Sequence, residues 1–461
     1  MLKNYDVVII GSGQAGNPLA KKFAQAGKKT VLIEKDVVGG TCINYGCTPT
    51  KTMIASAKLA FSARNATNMA IGVGKVSVKM ADIIDRKNAV VKMFREGSEK
   101  GLRKTEHLDL IFGEASFTGE KQIEIKGKYG ETKGLKAELF FIDTGTEAII
   151  PPIAGLSAIR YLTSTTIMEL DEVPKHLLII GGNYIGLEFG QMFSRFGSKV
   201  TIIERSDRLL KREDKEISSA VSDFLKEEKI EILTNSEVDS FVTDKKNKII
   251  AKLKNNENVK QVSCTHVLIA VGRKPTTEVL KLEKTGVKMD SKGFIEVDTK
   301  LETNIKGIYA LGDVNGGPAF THIAYNDFAV VYRNILEGKN LSTKNRQVPY
   351  CMFTDPQLGS IGMTEQEAKE GKIDYKVATL TMDTIGRAIE TGETKGLMRA
   401  IIDTKTKKIL GASILAAQGG EIMSILQMAM AGGITYEQLR YFIFAHPTYA
   451  EALNNLFMQL D

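Results

Sequence analysis

Cys42 and Cys47 stand five positions apart in "GGTCINYGCTPTK", residues 39–51, a stretch bounded by glycines. A pair so placed can ligate a metal, staple a loop or exchange electrons. Zinc wants about four N, O or S ligands, yet none of the five histidines is near these cysteines and no second CxxC-like element occurs. No metal site is expected. On a straight helix, residues five apart have Cα atoms about 8–9 Å apart, beyond the ~7 Å limit for a disulfide. A bridge therefore needs a distorted turn, which Gly39, Gly40 and Gly46 permit. A disulfide strained in this way is more oxidising than a structural staple, so the pair reads as a bridge built to open. Two unlinked cysteines are the alternative.

A redox pair needs an electron source, and an internal duplication supplies one. "VVIIGSGQAGNPLAKKFAQAGKKTVLIE" (7–34) is matched without a gap by "LLIIGGNYIGLEFGQMFSRFGSKVTIIE" (177–204). Each copy has an apolar run of strand length, a glycine turn, a helical stretch, a second glycine and another apolar run ending in Glu. This is a βαβ unit whose helix N-terminus faces a pyrophosphate and whose terminal acid binds a ribose 2′-OH. Two units imply two dinucleotides. In the first, Gly11, Gly13 and Gly16 are expected to cradle the pyrophosphate, with Glu34 on the adenosine ribose. In the second the order is Gly181, Gly182, Asn183, Tyr184, Ile185, Gly186, closing on Glu204. Asn183 replaces the middle glycine; asparagine tolerates left-handed backbone, but its Cβ limits approach to phosphate, so altered or weaker binding is expected. Glu204 favours NADH because a carboxylate repels the 2′-phosphate of NADPH. Arg205 and Arg208 offset that repulsion and leave NADPH open. Hydride does not pass directly to sulfur, so a flavin is needed between nicotinamide and cysteines. That assigns FAD to the first unit and the nicotinamide to the second.

These units must sit in a chain of 461 residues, long enough for about three domains. The predicted fold class is α/β, with two Rossmann-like dinucleotide-binding domains and a C-terminal α+β dimerisation domain. "LFFIDTG" (139–145), "HVLIAVGRKP" (266–275) and "GIYALGD" (307–313) read as further strands reaching the same ligand sites. Pro151 and Pro152 mark a crossing between domains and Pro275 the return. The expected division is 1–150 and 276–347 for FAD, 151–275 for NAD(P)H and 348–461 for the interface. With 43% apolar and 25% charged residues, the composition is that of a globular protein. The net charge of +7 is not gathered into a stripe, so no nucleic-acid partner is expected. The apolar stretch at 422–434 is too short to span a bilayer, so no membrane partner is expected either. Four cysteines argue against a disulfide framework, and the opening "MLKNYDVVII" is not a signal peptide. A cytoplasmic location is expected.

His446 is the histidine with a partner in sequence. In "AHPTYAE", Pro447 restricts the backbone and Glu451 is spaced to orient the imidazole through its other nitrogen.

Six motifs, "GSGQAG", "GGTCINYGCTPTK", "GGNYIGLEF", "VGRKP", "GIYALGD" and "HPTYAE", occur in this order. By them the chain resembles the group I flavoprotein disulfide reductases, the family of glutathione reductase, dihydrolipoamide dehydrogenase and mercuric reductase, over essentially its whole length. The resemblance implies that Cys47 faces the flavin and Cys42 is the interchange thiol that meets substrate. Lys51 would approach the flavin and pair with Glu188. Gly312 and Asp313 would hold the ribityl chain, and the helix beginning near Thr321 would point its N-terminus at the flavin. Gly40, Thr41, Thr144 and Gly145 join the expected cofactor contacts, as does Gly272. A homodimer is implied, with His446 and Glu451 serving the partner's dithiol.

Within the family, "TCINYGCTPTKT", "FTHIAYNDF", "GMTEQEA" and "FAHPTYAEALNNLF" look closest to the mercuric-reductase-like branch that includes the reactive-chlorine-response flavoproteins. That branch implies a small oxidant such as hypothiocyanous acid, or a metal ion such as copper(II), as substrate. Mercuric reduction is disfavoured because the tail "NNLFMQLD" lacks a vicinal cysteine pair, and lipoamide because Phe444 stands where another His is usual. A glutathione-type disulfide substrate, an NADH oxidase or ferredoxin-reductase type, and a non-enzymatic flavin-bearing redox sensor are the other readings.

Overall fold

The computed structural model describes residues 2–245, 248–255 and 259–460. They form two compact units: residues 1–53, 81–149 and 272–346 in one, and 54–80, 150–271 and 347–461 in the other.

The first unit is built on a parallel five-stranded sheet. Its order is Ile308–Ala310, Leu139–Ile142, Val7–Ile10, Thr30–Glu34, Leu108–Phe112. Continuous apolar runs form these strands because both faces are covered. Val8, Ile10, Phe140 and Ile142 enter one buried cluster. Val7, Ile9 and Phe141 enter another on the opposite face, with Leu19, Ala20 and Phe23 of the Gly16–Gln25 helix. The rings of Phe23 and Phe141 lie 5.2 Å apart. Full burial of each such side chain contributes about 1.5–3 kcal/mol, which fixes the helix against the sheet and so aims its N-terminus. The chain passes from the Val7–Ile10 strand to Thr30–Glu34 on one side, and from the neighbouring Leu139–Ile142 strand to Ile308–Ala310 on the other, which opens a crevice at the carboxyl ends of these two strands where ligands bind in this architecture.

The second unit repeats the plan. Its parallel sheet runs Tyr161–Leu162, His266–Ile269, His176–Ile180, Lys199–Ile203, Glu231–Leu233. The expected additional strands thus pair as anticipated: 139–142 and 308–310 flank the first βαβ unit, and 266–269 the second. The C-terminal part is an antiparallel five-stranded sheet in the order Tyr350–Met352, Gln357–Gly362, Ile409–Ala416, Leu397–Asp403, Tyr375–Thr381. The Gly419–Gly432 and Ala452–Met458 helices contribute to its core through Ile422, Leu426, Leu453 and Phe457. The architecture is α/β with a C-terminal α+β part. Along the 422–434 stretch Met423 is buried, while Met428 is 76% exposed and free for an outward contact. No helix among the described residues is long and apolar enough to cross a membrane.

Candidate active site

Two helices, rather than one, carry the cysteines. Gly40–Asn44 forms a short helix that stops at Tyr45, and a second helix begins at Cys47 and runs to Arg64. Gly39 and Gly40 have φ of +112° and +61°, and a Cβ at Gly46 would lie 2.9 Å from the Thr41 carbonyl oxygen. Glycine is therefore required at the break. Asn44 secures it, its Nδ2 donating to Val38 O and Gly40 O at 3.0 Å while its Oδ1 accepts from Arg95 Nε at 2.7 Å.

Across this break the two cysteine side chains, present as thiols, hydrogen-bond each other. The Oγ1 of Thr321, first residue of the Thr321–Leu336 helix, lies 3.4 Å from Cys47 Sγ. The Cys42 thiol is pushed up, first by its hydrogen bond to Cys47, then by burial and by the charge of Cys47; Thr321 and the Lys51 ammonium pull it down. Proton loss therefore belongs to the pair: one thiolate forms and shares the remaining proton. Lys51 sits four residues beyond Cys47 on the same helix and in the same unit, whereas Glu188 belongs to the other unit. Glu188 Oε1 accepts from Phe353 N at 2.8 Å there.

The glycine turn beside the first helix has the shape a pyrophosphate needs. Gly11 has φ of +103°, and an added Cβ would strike the Asp143 carbonyl oxygen. One on Gly13 would lie 2.6 Å from Asp143 Oδ2, and one on Gly40 2.8 Å from Gly13 Cα. Glu34 braces the turn, its Oε2 accepting from Ser12 N at 3.0 Å and its Oε1 from Asp36 N at 2.9 Å. Thr144 Oγ1 is buried without a hydrogen-bond partner in the protein, a polar atom that a bound cofactor would satisfy. Asp313 Oδ2 accepts from Thr146 Oγ1 at 3.0 Å, and Gly312 N donates to Asp327 Oδ2 at 2.9 Å. Gly145 (φ +64°) carries the chain out of the strand toward Thr146. Thr41 is exposed beside Cys42. The glycine cradle, the orphaned hydroxyl and the positioned acids fit an FAD at this unit.

The second turn repeats these contacts at the same offset. Gly181 N donates to Ile203 O at 2.9 Å, as Gly11 N does to Ile33 O at 2.8 Å. Glu204 accepts from Gly182 N at 2.8 Å and from Ser206 N at 2.7 Å. Gly186 has no room for a Cβ, which would strike Gly181 O, and Gly272 (φ +135°) follows the 266–269 strand. The expectation for Asn183 is corrected in one respect. Its backbone is extended (φ −103°, ψ 177°), so left-handed tolerance plays no part; its Oδ1 instead accepts from Tyr184 N at 2.8 Å and starts the Tyr184–Phe196 helix two residues before Gly186. Arg205 is exposed, while Arg208 donates to Asp207 and to the Lys211 carbonyl. The residues fit a nicotinamide dinucleotide with its ribose on Glu204.

His446 and Glu451 meet as their spacing suggests. His446 Nδ1 lies 2.9 Å from Glu451 Oε2 and 3.1 Å from Oε1, which holds the imidazole through Nδ1 and leaves Nε2 to act. The His446 side chain is 76% exposed, as a group serving another surface must be.

Sequence reasoning named the helix at Thr321 but missed its hydroxyl as a sulfur partner, and missed Asp143 altogether. Asp143 had a signal: a charged residue in "FFIDTG", adjoining an apolar run, is an anomaly in a buried strand.

Residues 5–327 match the family model described as pyridine nucleotide-disulphide oxidoreductase, and 348–457 match its dimerisation domain. The chain is 37% identical over 467 residues to the probable pyridine nucleotide-disulfide oxidoreductase RclA of Escherichia coli (strain K12), covering 99% of each. It is 35% identical to a mercuric reductase of Staphylococcus aureus, covering 99% of this chain and 83% of that one. The solved Cu(II) complex of the HOCl-induced flavoprotein disulfide reductase RclA from Escherichia coli superposes with a TM-score of 0.91 at 37% identity, covering 100% of both chains.

Proposed function

This chain belongs to the pyridine nucleotide-disulphide oxidoreductase family and is a flavoprotein disulfide reductase using FAD and NAD(P)H, and from that premise we propose that its Cys42–Cys47 pair reduces a small oxidant or a metal ion. The oxidant class is that of hypothiocyanous acid, and the metal ion that of copper(II). NADH is the preferred donor, because the Glu204 carboxylate occupies the ribose end of the second unit. The FAD-binding domain comprises 1–150 with 276–347, the nicotinamide-binding domain 151–275, and the interface domain 348–461 of a cytoplasmic homodimer.

When bound, FAD supplies the two-electron relay between a hydride donor and sulfur. Gly11, Gly13, Gly16, Glu34, Gly312 and Asp313 would hold it, and Lys51 would serve its reactive edge. The cysteines do the chemistry that follows. Cys42, the interchange thiol, attacks the sulfur of hypothiocyanous acid, releasing water and forming a thiocyanate-capped sulfur. Cys47 then attacks Cys42 Sγ, closing the disulfide and releasing thiocyanate and a proton. With copper, the dithiol gives one electron to each of two Cu(II) ions, forming the disulfide, two Cu(I) and two protons. His446, held by Glu451, takes the Cys42 proton of the partner subunit's pair and so counters the upward push on that thiol.

The observation carrying this reading is the sulfur pair set across a glycine break against Thr321, ready to close and open. The RclA structure bound to Cu(II), and the HOCl induction of that protein, favour small oxidants or copper over a bulky disulfide. The test is anaerobic reduction with NADH followed by a panel of hypothiocyanous acid, copper(II), mercury(II), lipoamide and glutathione disulfide, with Cys42→Ser as control. Faster NADH oxidation with the first two, lost in Cys42→Ser while FAD stays bound and reducible, is expected. Rates no faster than with glutathione disulfide would remove the assignment.

A further inference from the structure

Asp143 follows the 139–142 strand, and its carboxyl lies against the first glycine turn. The residue is 8% exposed. Oδ2 accepts from Gly16 N at 2.7 Å, and the Ala15 N–H also bonds the carboxyl. Added Cβ atoms on Gly13 and Gly16 would lie 2.6 and 3.1 Å from Oδ2, and one on Gly312 3.1 Å from Oδ1. The side chain thus fills the space between the glycine turn and the Gly312–Asp313 turn.

The duplication provides an internal comparison. Asp143 N donates to Ile10 O at 2.8 Å, and Ala270 N donates to Ile180 O at 2.8 Å. The carbonyls of Asp143 and Ala270 face Gly11 and Gly181 in the same way. Ala270 is therefore the counterpart of Asp143, and a glycine turn of this shape needs no carboxyl against it. The added group belongs to the unit whose dinucleotide must stay bound through turnover, not the one whose dinucleotide exchanges.

We propose that Asp143 is a positioning residue for FAD: through the Gly16 N–H it braces the glycine turn and holds the phosphate cradle in its binding shape. The role is suited to a protonated acid. Burial is the first cause holding this carboxyl's pKa well above the usual range, and Asp313 and Asp327 add to it, against the Gly16 and Ala15 N–H groups. Asp313 lies in the Gly312–Asn315 turn and Asp327, itself paired with Arg346, on the 321–336 helix. The glycine turn contributes only uncharged residues from 11 to 16. A neutral carboxyl accepts Gly16 N–H without adding charge beside two phosphates. As pH rises through its raised folded value it ionises, and FAD is held less tightly.

This rests on FAD filling the first unit, which the flavin content of purified wild-type protein checks separately; wild type that takes up no FAD overturns that reading itself. The experiment compares holoenzymes of wild type, Asp143→Asn and Asp143→Ala. FAD release on dilution is followed by flavin fluorescence from about pH 5 to about pH 9, a span that includes documented buried carboxyls. Asparagine accepts the same N–H and cannot ionise, so Asp143→Asn should match wild type at the acid end and stay flat, while wild-type affinity falls as pH rises. Asp143→Ala should bind FAD about 10-fold more weakly throughout, for one lost buried hydrogen bond. Superimposable pH profiles for wild type and Asp143→Asn overturn the neutral-acid role, and equal affinity in Asp143→Ala overturns the brace. If Asp143→Ala does not fold, the asparagine comparison still decides.

Discussion

Replacing Thr321 with valine keeps the branched shape of the side chain and removes the hydroxyl that lies 3.4 Å from Cys47 Sγ. In the reduced enzyme that O–H favours the ionised form of the cysteine pair. A hydrogen bond to a charged group contributes about 1.5–3 kcal/mol. Here Cys47 is exposed and Thr321 half-buried, and solvent screening lowers this to about 1.4 kcal/mol, a factor of about 10 in thiolate fraction. The sign is fixed: loss of a donor to the thiolate means fewer thiolates at a given pH below the pair's titration. Intrinsic nucleophilicity rises as the thiol becomes more basic, with a Brønsted slope of about 0.4–0.5, which recovers about 3-fold. Iodoacetamide alkylation of the NADH-reduced, anaerobic protein should therefore be about 3-fold slower than wild type at neutral pH. At high pH, where both pairs are ionised, the variant should be the faster. Peptide mapping assigns the label to Cys42 or Cys47, and Thr321→Ser should restore the wild-type profile. A profile lower at every pH would signal lost access, and superimposable profiles would mean the hydroxyl does not act on the sulfurs; either result refutes the reasoning.

Gly40→Ala should loosen FAD, because φ of +61° strains an L side chain and its Cβ would lie 2.8 Å from Gly13 Cα. The expected penalty is about 2–4 kcal/mol, read as a lowered Tm and faster FAD release; an unchanged holoenzyme would contradict it. Asp355 bears on stability at low pH. Burial pushes its carboxyl up, but the Arg195 guanidinium at 2.8 Å and the Lys58 ammonium at 3.0 Å outweigh this and hold it below the usual range. A depressed folded pKa contributes stability that is present above about pH 4 and lost as pH falls through the folded value. Asp355→Asn should thus destabilise by about 1–3 kcal/mol at neutral pH, since Glu228 still pairs Arg195, with the gap to wild type closing under acid. Urea unfolding at both ends of that range tests it, and a gap that stays constant would remove the ion pair as its cause.

Both βαβ units, the strands at 139–142, 266–269 and 308–310, and the glycine break between the cysteines were legible in the chain. Each is a local matter: a continuous apolar run of strand length, a residue that must take positive φ, an acid closing a strand a fixed distance after a glycine. Even the Glu34 and Glu204 contacts, repeated at the same offset, follow from pattern. Asn183 marks where local reading falters, because its type suggested left-handed backbone while a side-chain bond to the next N–H stabilises an extended one.

Thr321 is 274 residues from Cys47 and Asp143 is 127 from Gly16. Nothing in their immediate surroundings names those partners. Sheet order brings the ends of the 139–142 and 308–310 strands beside the first glycine turn, and helix packing then sets Thr321 against sulfur. Short-range chemistry chooses the elements and supplies the reactive residue types; only burial of the two sheet faces decides which distant hydroxyl or carboxyl lies within bonding distance of them.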